Sequence, residues 1–183
     1  PRYNFVTRVQ SGPIGRPMRL GKDEVAVCEG IHALNDDIAA YCPDAFRLYI
    51  SARSVVVDSD GREVFKGTWM RLLRRLVRDS NFRGTPAAAT LDMWANVRRG
   101  EKRFISPFKE RANLMFDSSF PCEVSILKNY AAPLLAAVPE GAERYAEIRS
   151  ILPALERFET IDPALLAPES MLREFIGGGV YSY

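Results

Sequence analysis

One stretch between Thr68 and Gly84 carries two instructions at once. Trp69, Leu72, Leu73, Leu76 and Val77 recur at helical spacing and form a single apolar stripe. Thr68 is the predicted cap, so a helix is expected across 68–84. A helix that is apolar on one side gains most of its stability by packing that side on another layer. Its remaining surface is occupied by Arg71, Arg74, Arg75 and Arg78, and Arg83 follows. Guanidinium groups suit phosphate, because the planar fork donates to two oxygens together. Three readings of this face stand side by side. It is a solvated basic face paired with Asp79 and its neighbours, a phosphoryl-transfer site, or a surface tracking a nucleic-acid backbone.

The surrounding segments alternate between strand and helix patterns, which predicts an α/β fold with a parallel sheet. Val25 to Cys28 has the length and β-branching of a buried parallel strand, ending abruptly at Glu29 and Gly30. Open α/β sheets place their chemistry just beyond the carboxyl ends of strands. Glu29 is therefore a candidate metal- or water-organising carboxylate, against the plainer reading of an acid in a strand-to-helix turn. His32, the sole histidine, fits a turn or helix start better than a catalytic role. A short helix is expected from Asn35 to Cys42. Phe46 to Ser51 reads as a second strand, and Asn113 to Asp117 as a third. Val55–Val57 and Glu63–Phe65, joined by a turn through Gly61, suggest a hairpin. Helices are further predicted after Thr85 and Pro86 with a stop at Gly100, from Glu123 to Val138 with a kink at Pro133, and from Ala142 to Leu155 with an interruption near Pro153. A last helix, capped by residues 168–170, ends at Ile176 before three glycines.

The chain has 183 residues, 47% of them hydrophobic, enough for a globular domain with a core. Its net charge is only +2, so bulk electrostatics make no case for nucleic acid. No apolar run approaches the ~18 residues needed to span a membrane. Three scattered cysteines without metal-type spacing point to a reducing interior. Gly15 and Gly21-Lys22 invite a phosphate-loop reading that fails. Five residues separate the glycines rather than four, and Asp23 stands where Ser or Thr would hold Mg²⁺. The chain starts at Pro1 without an initiator Met, as a piece of something longer would.

Four motifs succeed one another in a recognisable order: Glu29 to Asn35, Arg71 to Asp79 with Phe82-Arg83-Gly84, Trp94 to Glu101 (WANVRRGE), and Ser170 to Tyr183 (SMLREFIGGGVYSY). Together they resemble the uridine kinase-like nucleoside kinases of the phosphoribulokinase/uridine kinase superfamily, whose fold is a P-loop kinase sheet flanked by helices. The resemblance implies transfer of a phosphoryl group from ATP, with Mg²⁺, to the 5′-hydroxyl of a uridine- or cytidine-like nucleoside. It places Tyr3 in the nucleoside pocket and Arg8 where a pyrimidine-reading histidine stands in uridine kinases. It puts Glu29 near Mg²⁺. Arg75, Arg78 and Arg83 become lid arginines acting on the transferred phosphoryl, with Arg78 and Arg83 also holding ATP. Thr85 stands where some relatives carry a further arginine.

The family's phosphate-binding loop and its central strand have no counterpart in these residues. The expected partners are therefore the nucleoside, ATP, and an N-terminal kinase segment or another chain that completes the sheet, with homo-oligomer formation as a further route. Without that strand, the strands at Val25–Cys28 and Phe46–Ser51 either receive a substitute or close up directly. The expected organisation is 1–121 as the C-terminal part of the kinase domain and 122–183 as a helical extension packed on it, in the cytoplasm. The competing functions are a related phosphotransferase acting on another hydroxyl, such as a sugar phosphate or pantothenate, and a non-catalytic module binding RNA or another polyanion.

Overall fold

The computed structural model describes residues 2–4, 7, 9–11 and 18–181. Two short strands, β1 (Arg2–Asn4) and β2 (Val9–Ser11), pair antiparallel. A four-residue helix α1 (Asp36–Ala39) starts at Asn35, whose side chain accepts from the Asp37 amide. Strand β3 (Leu48–Ser51) pairs in parallel with β6 (Leu114–Asp117), Leu48 opposite Leu114 and Ser51 opposite Asp117. The expected hairpin forms from β4 (Val56–Val57) and β5 (Glu63–Phe65). Helices α2 (Gly67–Arg83), α3 (Ala87–Phe104), α4 (Glu123–Ala136), α5 (Tyr145–Glu156) and α6 (Arg173–Ile176) make up the rest. The result is a mixed α/β chain: a small parallel sheet, flanking helices and a helical C-terminal region.

Helix α2 is the centre of the core, as its apolar stripe requires. Leu72, Leu73 and Val77 are fully buried, and α2 packs against α3, α4 and α6. The core continues through Leu127, Ala131 and Leu135 of α4 and Ile151 and Leu155 of α5. The hairpin joins it through Phe65, with Val56 packed against the core beside it. Phe65 is fully buried and meets Trp69 and Phe158 edge to face at 5.5 and 5.6 Å. Gly67 is needed where the hairpin turns into α2, since a Cβ there would lie 2.9 Å from the Ser54 carbonyl oxygen. Gly84, with φ +58°, ends the helix in the left-handed conformation. Among the described residues, no helix is long and apolar enough to cross a membrane.

Several expectations are corrected. Val25 to Cys28 is not a strand, and Val25 and Val27 are 86% and 89% exposed. Parallel strands depend on neighbours and on covered faces, and four apolar residues cannot supply either for themselves. Direct closure of this run on β3 does not occur. Among the described residues, β3 and β6 pair only with each other. Helix α2 begins before Thr68: Lys66 is its cap, because the Trp69 and Met70 amides both donate to the Lys66 carbonyl. Thr85 is likewise not a cap, a place taken by Pro86. Gly100 does not stop α3, which runs on to Phe104. A mid-helix glycine costs about 1 kcal/mol, and the next residue, Glu101, ties α3 to α2 through Arg71 at 2.7 Å. Pro153 does not interrupt α5, because Ile151 and Leu155 on either side of it are anchored in the core.

A buried ion pair links the end of the parallel sheet to the helical region. Glu123, fully buried at the start of α4, takes both the Nε and the Nη2 of Arg74. Arg74 Nη2 also donates to the Ser118 carbonyl just beyond β6 at 2.6 Å, and its guanidinium lies 5.2 Å from the centre of the Phe175 ring. Both charges are thereby matched, which burial demands.

Candidate functional site: an arginine cluster on helix α2

Helical geometry divides the five arginines among different partners. Arg71 turns to Glu101 and Arg74 to Glu123. The remaining three, Arg75, Arg78 and Arg83, gather around one carboxylate. Asp79 lies four residues after Arg75 and four before Arg83, so all three occupy one face. Arg75 Nε is 3.2 Å from Asp79 Oδ2, Arg83 Nη1 is 3.1 Å from Oδ1, and Arg78 Nε is 3.8 Å from Oδ1. Thr90 of α3 donates its hydroxyl to Oδ2 at 3.4 Å. Asp79 itself is only 2% exposed, whereas the three arginines keep about a quarter of their side-chain surface in water.

One carboxylate cannot satisfy three guanidiniums. Arg75 Nε lies close to Asp79 but is not aimed at it. Arg75 Nε and Arg78 Nε are both buried without a hydrogen-bond partner. A second carboxylate stands at the edge, where Glu174 Oε1 of α6 is 3.7 Å from Arg78 Nη1. Among the described residues, three guanidiniums share two carboxylates here. Burial, and then the charge of Arg83, push the Arg78 guanidinium below its ordinary pKa. The orphaned Nε atoms of Arg75 and Arg78 can donate to an anion with several oxygens, and a phosphate chain has that form.

The family resemblance singled out the three arginines that the fold brings together, and the sequence offered Asp79 only as an ion-pair partner of a solvated basic face. Asp79 is the organiser, and its i−4 and i+4 arginines were a readable signal. Thr90 and Glu174 arrive from other elements and carried no such signal. Of the other predicted site residues, Glu29 is not gathered here. Glu29 lies on exposed irregular backbone. It makes no hydrogen bond or ion pair with the described residues, and no strand end presents it. Tyr3 is in β1 by its backbone, and its side chain lies outside the described residues, as does Arg8. The fit to the implied ligands is accordingly uneven. The orphaned Nε atoms of Arg75 and Arg78 suit the phosphates of ATP. For Mg²⁺ the described residues contain no group of three metal-ligating side chains, and Glu29 is a single exposed carboxylate.

A second polar assembly marks the carboxyl end of β6, the side of an open sheet where chemistry is usually placed. The Asp117 carboxylate accepts from the Arg53 amide at 3.0 Å, the Ser54 hydroxyl at 2.8 Å, and the Ser119 amide and hydroxyl at 2.9 and 2.7 Å. Desolvation raises its pKa, but the donated bonds from Ser119, Arg53 and Ser54 outweigh that and hold the carboxyl well below the usual range. A carboxyl depressed in the folded state stabilises the fold above its unfolded pKa and loses that contribution as pH falls towards its folded value. The stability difference between the wild type and Asp117→Asn is therefore expected to be constant near neutrality and to shrink steadily below about pH 4. Urea unfolding across pH 2–7 checks this. A difference that grows on acidification would contradict it.

No curated protein and no solved structure matches the chain. The family model of the phosphoribulokinase / uridine kinase family does, over residues 1–124, a span that contains β3, the arginine cluster, α3 and β6 and ends where α4 begins. The chain belongs to the phosphoribulokinase/uridine kinase family, a family of kinases that generally use ATP and a metal ion.

Proposed function

We propose that this chain supplies the acceptor-side and lid residues of an ATP-dependent kinase that phosphorylates the 5′-hydroxyl of a uridine- or cytidine-like nucleoside in the cytoplasm. The observation that carries this reading is the arginine cluster. Arg75, Arg78 and Arg83 share one buried carboxylate and leave two buried Nε donors unused. Bound ATP would supply the phosphoryl group: the 5′-hydroxyl oxygen would bond to the γ-phosphorus and release its proton to solvent as ADP leaves, with charge spreading over the equatorial oxygens. Fixed guanidiniums stabilise that charge without reorganising. Arg78 and Arg83 hold the phosphates of ATP. By the family resemblance Tyr3 and Arg8 would bind the nucleoside, and Glu29 would be the carboxylate offered to Mg²⁺.

The phosphate-binding loop comes from a kinase segment, or from another chain, seated against the parallel strands. Support comes from the state of those strands. Leu48, Ile50, Leu114, Met115 and Phe116 are all more than two-fifths exposed, an unfavourable condition for a parallel pair. Residues 1–121 form the kinase part in this reading, and 122–183 the extension that buttresses α2.

Calorimetric titration of Mg-ATP and of uridine tests the proposal, on this chain alone and on the chain supplied with the family's phosphate-loop segment. Tight binding only with that segment present is the expected result, the chain alone offering its arginine cluster as a weak polyanion site. Tight Mg-ATP binding by the chain alone would overturn the division of labour. Absence of binding in both, with salt-dependent RNA binding instead, would replace the kinase reading by a polyanion-binding one.

A further inference from the structure

Helix α6 does more than pad the core. Phe175 is buried beside the Arg74 guanidinium, and its carbonyl accepts from Asn81 Nδ2 at 3.0 Å. These two contacts fix α6 against α2. They also set the preceding residue, Glu174, beside Arg78, with Oε1 3.7 Å from Nη1. At that distance the two groups attract without a hydrogen bond between them. Arg78's other carboxylate neighbour, Asp79, is equally distant at 3.8 Å, and Arg78 Nε has no hydrogen-bond partner. Arg78 is thus partly neutralised while its donors remain uncommitted. The pair is also within reach of solvent, with the Arg78 and Glu174 side chains 26% and 35% exposed.

We infer that Glu174 is a built-in competitor for the anion site of the arginine cluster, holding the place beside Arg78 until a phosphate chain takes it. This rests on the reading of Arg75, Arg78 and Arg83 as a phosphate site and adds a control to it. A phosphate oxygen brings more charge and can accept from Arg78 directly, whereas Glu174 contributes only a long ion pair. Incoming phosphate therefore meets a carboxylate of like sign that has to yield. The C-terminal extension in this way sets the affinity of a site whose arginines it does not itself supply. Because α6 is held by Phe175 and Asn81, Glu174 yields by rotating its side chain, with the helix left in place.

The test is calorimetric titration of inorganic tripolyphosphate into the full chain, as wild type, Glu174→Gln, Arg78→Gln and the double variant. Glu174→Gln keeps the size of the side chain and removes its charge, and its thermal unfolding should match the wild type. It is expected to tighten tripolyphosphate binding about threefold, in keeping with a partly exposed ion pair, and the gain should vanish in 0.5 M salt, where the screening length falls to about 4 Å. Arg78→Gln is expected to weaken binding about tenfold, as loss of a charge-assisted contact does. In the Arg78→Gln background, Glu174→Gln should give no gain. Unchanged or weaker binding by Glu174→Gln, while Arg78→Gln still loses affinity, would overturn the competitor role and leave the phosphate site standing. Failure of the wild type to bind, or indifference to Arg78→Gln, would overturn both.

Discussion

Asp79→Asn is expected to cost about 3 kcal/mol of folding stability, at the lower end of the loss caused by stripping one partner out of a buried ion pair. Asparagine keeps the shape of the side chain and one carbonyl acceptor, so no cavity opens. The substitution removes the charge that holds Arg75, Arg78 and Arg83 on one face of α2. Three guanidiniums would then face each other across a 2% exposed position. Their own residual exposure of about a quarter lets water absorb part of the repulsion, which is why the lower figure applies. Urea unfolding would read the loss as a lower midpoint with an unchanged slope. The same variant also probes the chemistry of the cluster. If the arginines form an anion receptor, inorganic phosphate should restore part of the lost stability by binding the folded state, and chloride at equal ionic strength should restore less. A loss below about 1 kcal/mol would show that Asp79 is not the organiser, and equal recovery in both salts would show that the cluster has no preference for phosphate.

Each feature was legible in the sequence to the extent that it is independent of distant residues. The α2 stripe was readable because 3.6-residue periodicity is a local property, and its five apolar members all lie in the core. The β4–β5 hairpin and the strands at Leu48 and Leu114 were readable for similar reasons. Val25 to Cys28 was misread because its composition suits a strand while its pairing depends on neighbours that composition cannot supply. Gly100 and Pro153 were misread in the opposite sense: each opposes a helix locally, and the packing of Glu101 and of Ile151 with Leu155 overrides it. One helix carries all five arginines, and the family resemblance singled out Arg75, Arg78 and Arg83 among them. Thr90 and Glu174 were not found, because α3 and α6 bring them to the cluster only through the tertiary fold. The family motif supplied roles for Tyr3, Arg8 and Glu29; Glu29 has no contact with the arginine cluster, and the side chains of Tyr3 and Arg8 lie outside the described residues.

Arg78→Ala is expected to lower the rate of phosphoryl transfer in the kinase completed by its phosphate loop by about 10²–10³, the usual loss when one preorganised charge is taken from a transition state. Among the three arginines, Arg78 combines an orphaned Nε with the greatest distance from Asp79. It therefore has the most to give to an incoming charge and the least structural work to do. Its removal should be nearly neutral for stability, in contrast with Asp79→Asn, since it relieves repulsion from Arg75 and Arg83. Arg78→Lys should recover little of the rate. An ammonium restores the charge but not the planar fork, and its shorter reach leaves the donors misplaced. The loss should appear in kcat with little change in the acceptor KM, because the interaction strengthens only as charge develops on the transferred group. Steady-state kinetics with saturating ATP separates these effects. A rate within a few-fold of the wild type, or a loss confined to the acceptor KM, would assign Arg78 to the solvated basic face and leave Arg75 and Arg83 to carry the chemistry.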